Sequence, residues 1–269
     1  MFRNTKICSQ CQNKIDRMND SCPHCGQENE EFLKLHYSKY SVNLPFWGQI
    51  LFFGLGTIGL IISELLAMLI VSIVKGGGEF SESDQGMMVY VAYIILFTIF
   101  LICCVIFRDK FKKFFKDWKA YLAGFIGFIA LFTFSIVLGL LVTETNQNEE
   151  AVETYTTLFP ALSIIVLGIL GPVCEELTYR VGLFSFLRRI NRILAYAVTT
   201  VIFAMIHFNF STDAHAMLVE LMNLPFYVVA GFIFSYLYDR YGLAASLTAH
   251  ILNNVVSVSL SIIGAIIGG

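Results

Sequence analysis

Apolar residues recur in seven long runs, roughly 46–74, 87–107, 120–142, 158–187, 193–209, 216–238 and 243–267, each bounded by charged or turn-forming residues. A helix needs about 20 mostly apolar residues to cross the hydrocarbon core of a bilayer. The pattern therefore predicts about seven transmembrane helices, the fourth interrupted by charge and the fifth short. Ahead of them lies a polar head, residues 1–43. The first apolar run begins near Leu44, after that charged head and without a small-residue cleavage pattern, so it reads as a span and not as a cleavable leader.

Composition agrees with the pattern. The chain has 269 residues, of which 57% are hydrophobic and only 14% charged, against about 25% charged in soluble domains. So little charge cannot cover a water-soluble globule. The predicted class is all-α, a polytopic helical bundle with a small N-terminal module. A net charge of −2 gives no reason to expect nucleic acid as a partner.

Charge in the short connections sets direction. The segments Arg108–Lys119 and Arg188–Arg192, with Arg240, are basic, whereas the alternate connections hold Glu79, Glu82 and Asp84, or Glu144, Glu149, Glu150 and Glu153. Lys and Arg favour the cytoplasmic side. The N-terminal head is thus expected inside and the C-terminus outside. The layout is that of a protein of a bacterial cell membrane.

Within the head, Cys8-Ser-Gln-Cys11 and Cys22-Pro-His-Cys25-Gly26 form two short knuckles. Four thiolates so spaced can surround one tetrahedral zinc ion, the glycine permitting the turn beneath the second knuckle. A module this small has almost no core, and a structural zinc would supply most of its folding free energy. His24 reads as a surface residue. The chain divides into a zinc ribbon (1–30), a linker (31–43), two helices with a basic cytosolic loop (44–119), and a membrane core (120–269).

The first span carries Gly54, Gly56 and Gly59, small residues that let another helix approach, and Glu64, expected against a neighbouring helix or a polar cavity. The second half breaks the apolar rule more strongly. Run four contains Gly171-Pro172-Val173-Cys174-Glu175-Glu176-Leu177-Thr178-Tyr179-Arg180, run five Phe203 and His207, and run seven His250, Asn253 and Asn254. Charges inside a span are costly and usually face a functional interior. At about 1.5 Å per residue, Glu175, His207 and Asn254 each lie about 20 Å from the basic end of their helix, and His250 about 15 Å. Polar groups on three helices thus fall in one layer, which reads as one site. Glu176 and Arg180, four apart, are placed to pair, leaving the neighbouring Glu175 free to face elsewhere. Two carboxylates, two histidines and an amide can supply a base, its partner and donors for an oxyanion. Gly171-Pro172 is expected to kink the helix and free a carbonyl. His215 and His36 stand apart from this set.

The motifs EExxxR (Glu175, Glu176, Arg180), FxxxH (Phe203, His207) and HxxxN (His250, Asn254) resemble the CPBP family of intramembrane proteases, also called the Abi or CAAX-protease family. The resemblance covers roughly residues 120–267 and implies an all-helical membrane endopeptidase acting on membrane proteins or peptides. It implies that Glu175 activates water with help from His207, and that His250 and Asn254 hold the oxyanion. Glu176, Arg180 and Phe203 would support them. Relatives in bacteria are linked to bacteriocin maturation, self-immunity and membrane-protein processing. A His-His-Glu set could bind zinc, but HExxH is absent and an amide is a poor zinc ligand, so the metal-free glutamate mechanism is the favoured one and no metal is expected in the active site.

Two other classes compete. One is a non-catalytic membrane scaffold or regulator that recruits a cytosolic partner through the ribbon. The other is a transporter, whose expected mark, paired broken helices in two related halves, is not evident.

Overall fold

The structure is a computed structural model that describes residues 5–17, 19, 21–32, 42–111, 115 and 117–268. His36 and most of the expected linker lie outside the described residues, as do Lys112, Lys113 and Lys116 of the basic loop.

The head forms an antiparallel hairpin, β1 (Thr5–Ile7) and β2 (Lys14–Asp16), with Thr5 opposite Asp16 and Ile7 opposite Lys14. The rest is helical: α1 (Phe46–Lys75), α2 (Glu82–Ile106), α3 (Trp118–Gly139), α4 (Gln147–Leu158), α5 (Pro160–Arg188), α6 (Arg192–Met205), α7 (Ala214–Tyr241) and α8 (Leu243–Gly268). Six of these, α1, α2, α3, α5, α7 and α8, are long and apolar enough to cross a membrane, and α6 is a shorter apolar helix. The protein is a polytopic, all-helical integral membrane protein. Its turns stop the helices by ordinary chemistry. Ser81 and Asp84 close a capping box on α2, while Asn146, Asn191 and Asp213 accept backbone N–H bonds at the starts of α4, α6 and α7.

Sequence spacing located the six long helices and the short apolar α6, but neither the polar helix α4 nor the winding of the others. Leu55–Gly59 in α1, and Val166–Leu170 and Glu176–Phe184 in α5, are wound as π-helix. The kink expected at Gly171-Pro172 takes another form. The N–H of Gly171 bonds to Val166 O, five residues back, and the helix runs on through Pro172. A wide turn thus absorbs the proline's missing donor.

The widened stretches of α1 and α5 cross each other closely. A Cβ on Gly56 would lie 1.7 Å from Thr178 Oγ1, and one on Gly182 would lie 2.6 Å from the backbone nitrogen of Phe53. Of the three glycines picked out in the first span, only Gly56 is required by such contact; Gly54 has open space and Gly59 ordinary packing distances. Glu64 differs from expectation too, lying on an exposed face of α1.

One end of the bundle is tied by charge. Buried Asp239 of α7 accepts from Arg192 (2.7 Å) and from the Tyr196 hydroxyl (3.1 Å), with Arg188 3.4 Å away. Arg189 donates to Gln49 (2.7 Å) and to Leu44 O (3.1 Å). The hairpin module meets this same end, where Lys110 lies 3.8 Å from Glu28. Helix α4, polar and short, covers part of the opposite end.

Candidate active site

The layered polar groups do converge. Glu176 and Arg180, both fully buried, pair across one helical turn at 3.1 Å. The Arg180 guanidinium lies over the rings of Phe203 (4.5 Å) and Phe234 (5.3 Å) and donates to Gly231 O at 3.2 Å. His250 enters from α8, its ring stacked on Phe234 with centroids 4.3 Å apart. Its Nδ1 lies 3.0 Å from Glu176 Oε1, and its Nε2 lies 3.7 Å from Glu175 Oε2. The latter gap exceeds a hydrogen bond, and Glu175 Oε2 is buried with no hydrogen-bond partner among the described residues. Glu176 is therefore engaged through Oε1, as its spacing from Arg180 implies, while its Oε2 and that of Glu175 are both left without a hydrogen-bond partner among the described residues.

Two details of the expected arrangement change. His207 does not extend the helical face of Phe203, because α6 ends at Met205 and His207 sits in the turn beyond. Its Nδ1 turns back to Phe203 O at 2.8 Å. A carbonyl accepts only, so that nitrogen carries the proton and Nε2 is left as the free acceptor. Second, the neighbour of Glu175 is His250, not His207. A cavity of about 340 Å³ is lined by His207, His250, Asn253 and Asn254, and Glu175 is not on its wall. Asn254 spends one donor on Leu167 O at 3.2 Å.

The sequence reading missed a shell around His207. The Tyr227 ring stacks on it at 4.6 Å and 14°, and the Tyr227 hydroxyl lies within reach of the amides of Asn146 (3.3 Å) and Asn148 (3.2 Å). Buried Glu220 accepts the N–H of Gln147 (2.9 Å) and of Asn209 (3.2 Å), joining the start of α4 to the His207 turn. Burial and the charge of Glu220 together raise the carboxyl pKa of nearby Glu149 on α4. A usable signal was present: Glu220, Asn223 and Tyr227 fall at i, i+3 and i+7, one polar face of an otherwise apolar span.

The four head cysteines form a second, separate site. Their sulfurs lie within 4.8 Å of one another, Cys8 and Cys25 at 3.6 Å and Cys11 and Cys22 at 3.6 Å. A tetrahedral ion with metal–sulfur bonds of about 2.3 Å needs sulfurs roughly 3.8 Å apart, so the residues fit a bound metal. The knuckles repeat each other: Gln12 N–H bonds Cys8 O, and Gly26 N–H bonds Cys22 O, with φ of 61° and 76°. Backbone N–H groups of Cys11 and Gln10 hold the Cys8 thiol below its usual pKa, and the N–H of Asn13 brings Cys11 to about 6. Both favour the ligating thiolate. His24 is exposed.

Residues 157–256 match the family model described as type II CAAX prenyl endopeptidase Rce1-like. The matched stretch contains Glu175, Glu176, Arg180, Phe203, His207, His250 and Asn254, and is shorter than the 120–267 over which the motifs suggested a resemblance. An uncharacterized protein of Mycoplasma capricolum is 28% identical over 58% of this chain and 48% of its own. The "Putative membrane peptidase YdiL" of Bacillus subtilis is 28% identical over 61% of this chain and 68% of its own. The UPF0177 protein YvdC of Lactococcus lactis is 24% identical over 64% and 66% respectively. The chain thus spans about half the length of the Mycoplasma relative and about two thirds of the other two. No solved structure matches.

Proposed function

We propose that the protein is an intramembrane endopeptidase that hydrolyses peptide bonds of membrane-associated proteins or peptides. The observation that carries this is the free, buried oxygen of Glu175, 3.7 Å from His250 inside the Rce1-like stretch. A carboxylate without a partner in a low-dielectric site is costly and is placed to take a proton from water. His207, its Nε2 left as an acceptor, is the second base and faces the cavity. His250 and Asn254 are the oxyanion donors. His250 Nδ1 faces Glu176 Oε1, which leaves its Nε2 as the nitrogen placed to donate an N–H to the reacting oxygen. Glu175 is off the cavity wall, whereas His250, 3.7 Å from it, is on that wall. The active site uses no metal in this scheme.

The head is a structural zinc ribbon held by Cys8, Cys11, Cys22 and Cys25, separate from the core that begins near residue 120. It lies on the cytoplasmic side, as the distribution of Lys and Arg indicates, and offers a surface for a cytosolic partner.

The test compares membrane-fraction peptide termini in cells carrying the wild type or Glu175→Gln at equal expression. New termini that disappear in the variant support the protease. Identical termini, with the cellular phenotype intact in the variant, overturn it in favour of a scaffold.

A further inference from the structure

Hydrolysis at a buried site needs a supply of water, and the cavity has a direction. At its inner end stand buried Phe203, Phe234 and His250; its outer wall includes Thr145, Glu153 and Ser257, all exposed. Helix α8 provides one wall with His250, Asn253, Asn254, Ser257 and Ser261 at helical spacing, a polar stripe about 16 Å long. Off the stripe, Ser259 returns its hydroxyl to Val255 O at 2.6 Å, the usual way to satisfy a serine within a span. Ser257 and Ser261 make no such bond among the described residues, so their hydroxyls are left to the cavity. Apolar packing alone gives no reason for unpaired hydroxyls to line up along a membrane helix.

The outer wall is completed by α4, which brings Asn148, Glu149 and Glu153 to the cavity. This helix lies at the end of the bundle away from the Asp239 ion cluster and the cysteine module. We infer that the cavity is a water-filled vestibule, open at the α4 end. It admits water and an extended, hydrophilic stretch of substrate polypeptide from the membrane face opposite the ribbon. The inference deepens the protease reading and rests on it for the substrate, whereas the vestibule itself is testable without cleavage.

The experiment uses the full chain with Ser257→Cys, Ser261→Cys or Arg240→Cys, the last exposed at the ion-cluster end. Intact cells are treated with a membrane-impermeant charged maleimide, then permeabilised and treated again, with the wild type giving the background from native thiols. The two serine positions should react from one side of the membrane and Arg240→Cys from the other. Reaction of all three from the same side overturns the inference. So does a failure of both serine positions to react in protein that melts like the wild type, which would mean a dry cavity. The label on Ser257→Cys should also reduce Glu175-dependent cleavage at least tenfold, and label on Arg240→Cys should not. If the wild type shows no cleavage, the protease reading falls while the labelling still decides the vestibule.

Discussion

The Tyr227 ring lies almost parallel to the His207 imidazole, at 4.6 Å and 14°, and two α4-side amides sit at its hydroxyl. His207 is outside any helix, so this stack, the Phe203 ring 4.9 Å away and the bond to Phe203 O fix its orientation. A ring contact of this kind contributes about 0.5–1.5 kcal/mol, or roughly two- to tenfold if all of it appears in the reaction barrier. Tyr227→Leu should therefore lower Glu175-dependent cleavage by roughly that factor, and Tyr227→Phe, which keeps the stack, by less. Cleavage rates at equal folded protein check the order.

Glu220 joins α4 to the His207 turn through two backbone N–H groups. Hydrogen bonds to a charged group are worth about 1.5–3 kcal/mol each. Glu220→Ala should lower the melting temperature in detergent and speed amide exchange at Gln147 and Asn209. Unchanged exchange at both would show that the carboxylate does not hold them.

Glu149 offers a pH test. Its carboxyl pKa is raised in the folded protein, so the native state binds the proton more tightly than the unfolded chain does. The destabilisation is fully present above the raised folded pKa and is lost as pH falls below the unfolded value. Glu149→Gln should raise the melting temperature near pH 8 and have little effect near pH 4. Equal gains at both pH values would contradict the assignment.

At the crossing of α1 and α5, Gly56→Ala forces its Cβ into Thr178, and overpacking of this kind costs about 1–3 kcal/mol. Gly54→Ala, with open space at its Cβ, serves as the control. Thermal melts should separate the two variants clearly.

The head gives a metal prediction. Chelation, or Cys11→Ser, should unfold residues 5–32 and leave the helical signal of the bundle in place. Gln12→Gly, at a left-handed position, should retain zinc against chelator better than the wild type does.

Much of this architecture could be read in the sequence because a bilayer imposes one rule, apolar length, and alternating charge marks the ends. The buried polar cluster was legible for the related reason that Glu175, Glu176, Arg180 and His250 violate that rule. The π-winding of 176–184 was not, since it adds no residue type that propensity would flag. Nor was the exit of His207 from α6, because Phe203 and His207 have the spacing of one helical face whether or not the helix continues. Tyr227 escaped notice because a tyrosine in a span usually reads as packing, and its role depends on Asn146 and Asn148, some 80 residues away.

The 14 residues of α6 extend only about 21 Å, well short of a hydrocarbon layer of about 30 Å. Lipid beside a short helix thins to match it, at a cost of fractions of a kcal/mol per Å. Where α6 meets lipid, the bilayer would have to thin, bringing head groups and their hydration toward the turn that carries His207. Membrane thickness, and so lipid chain length, would then bear on any chemistry carried out at that turn.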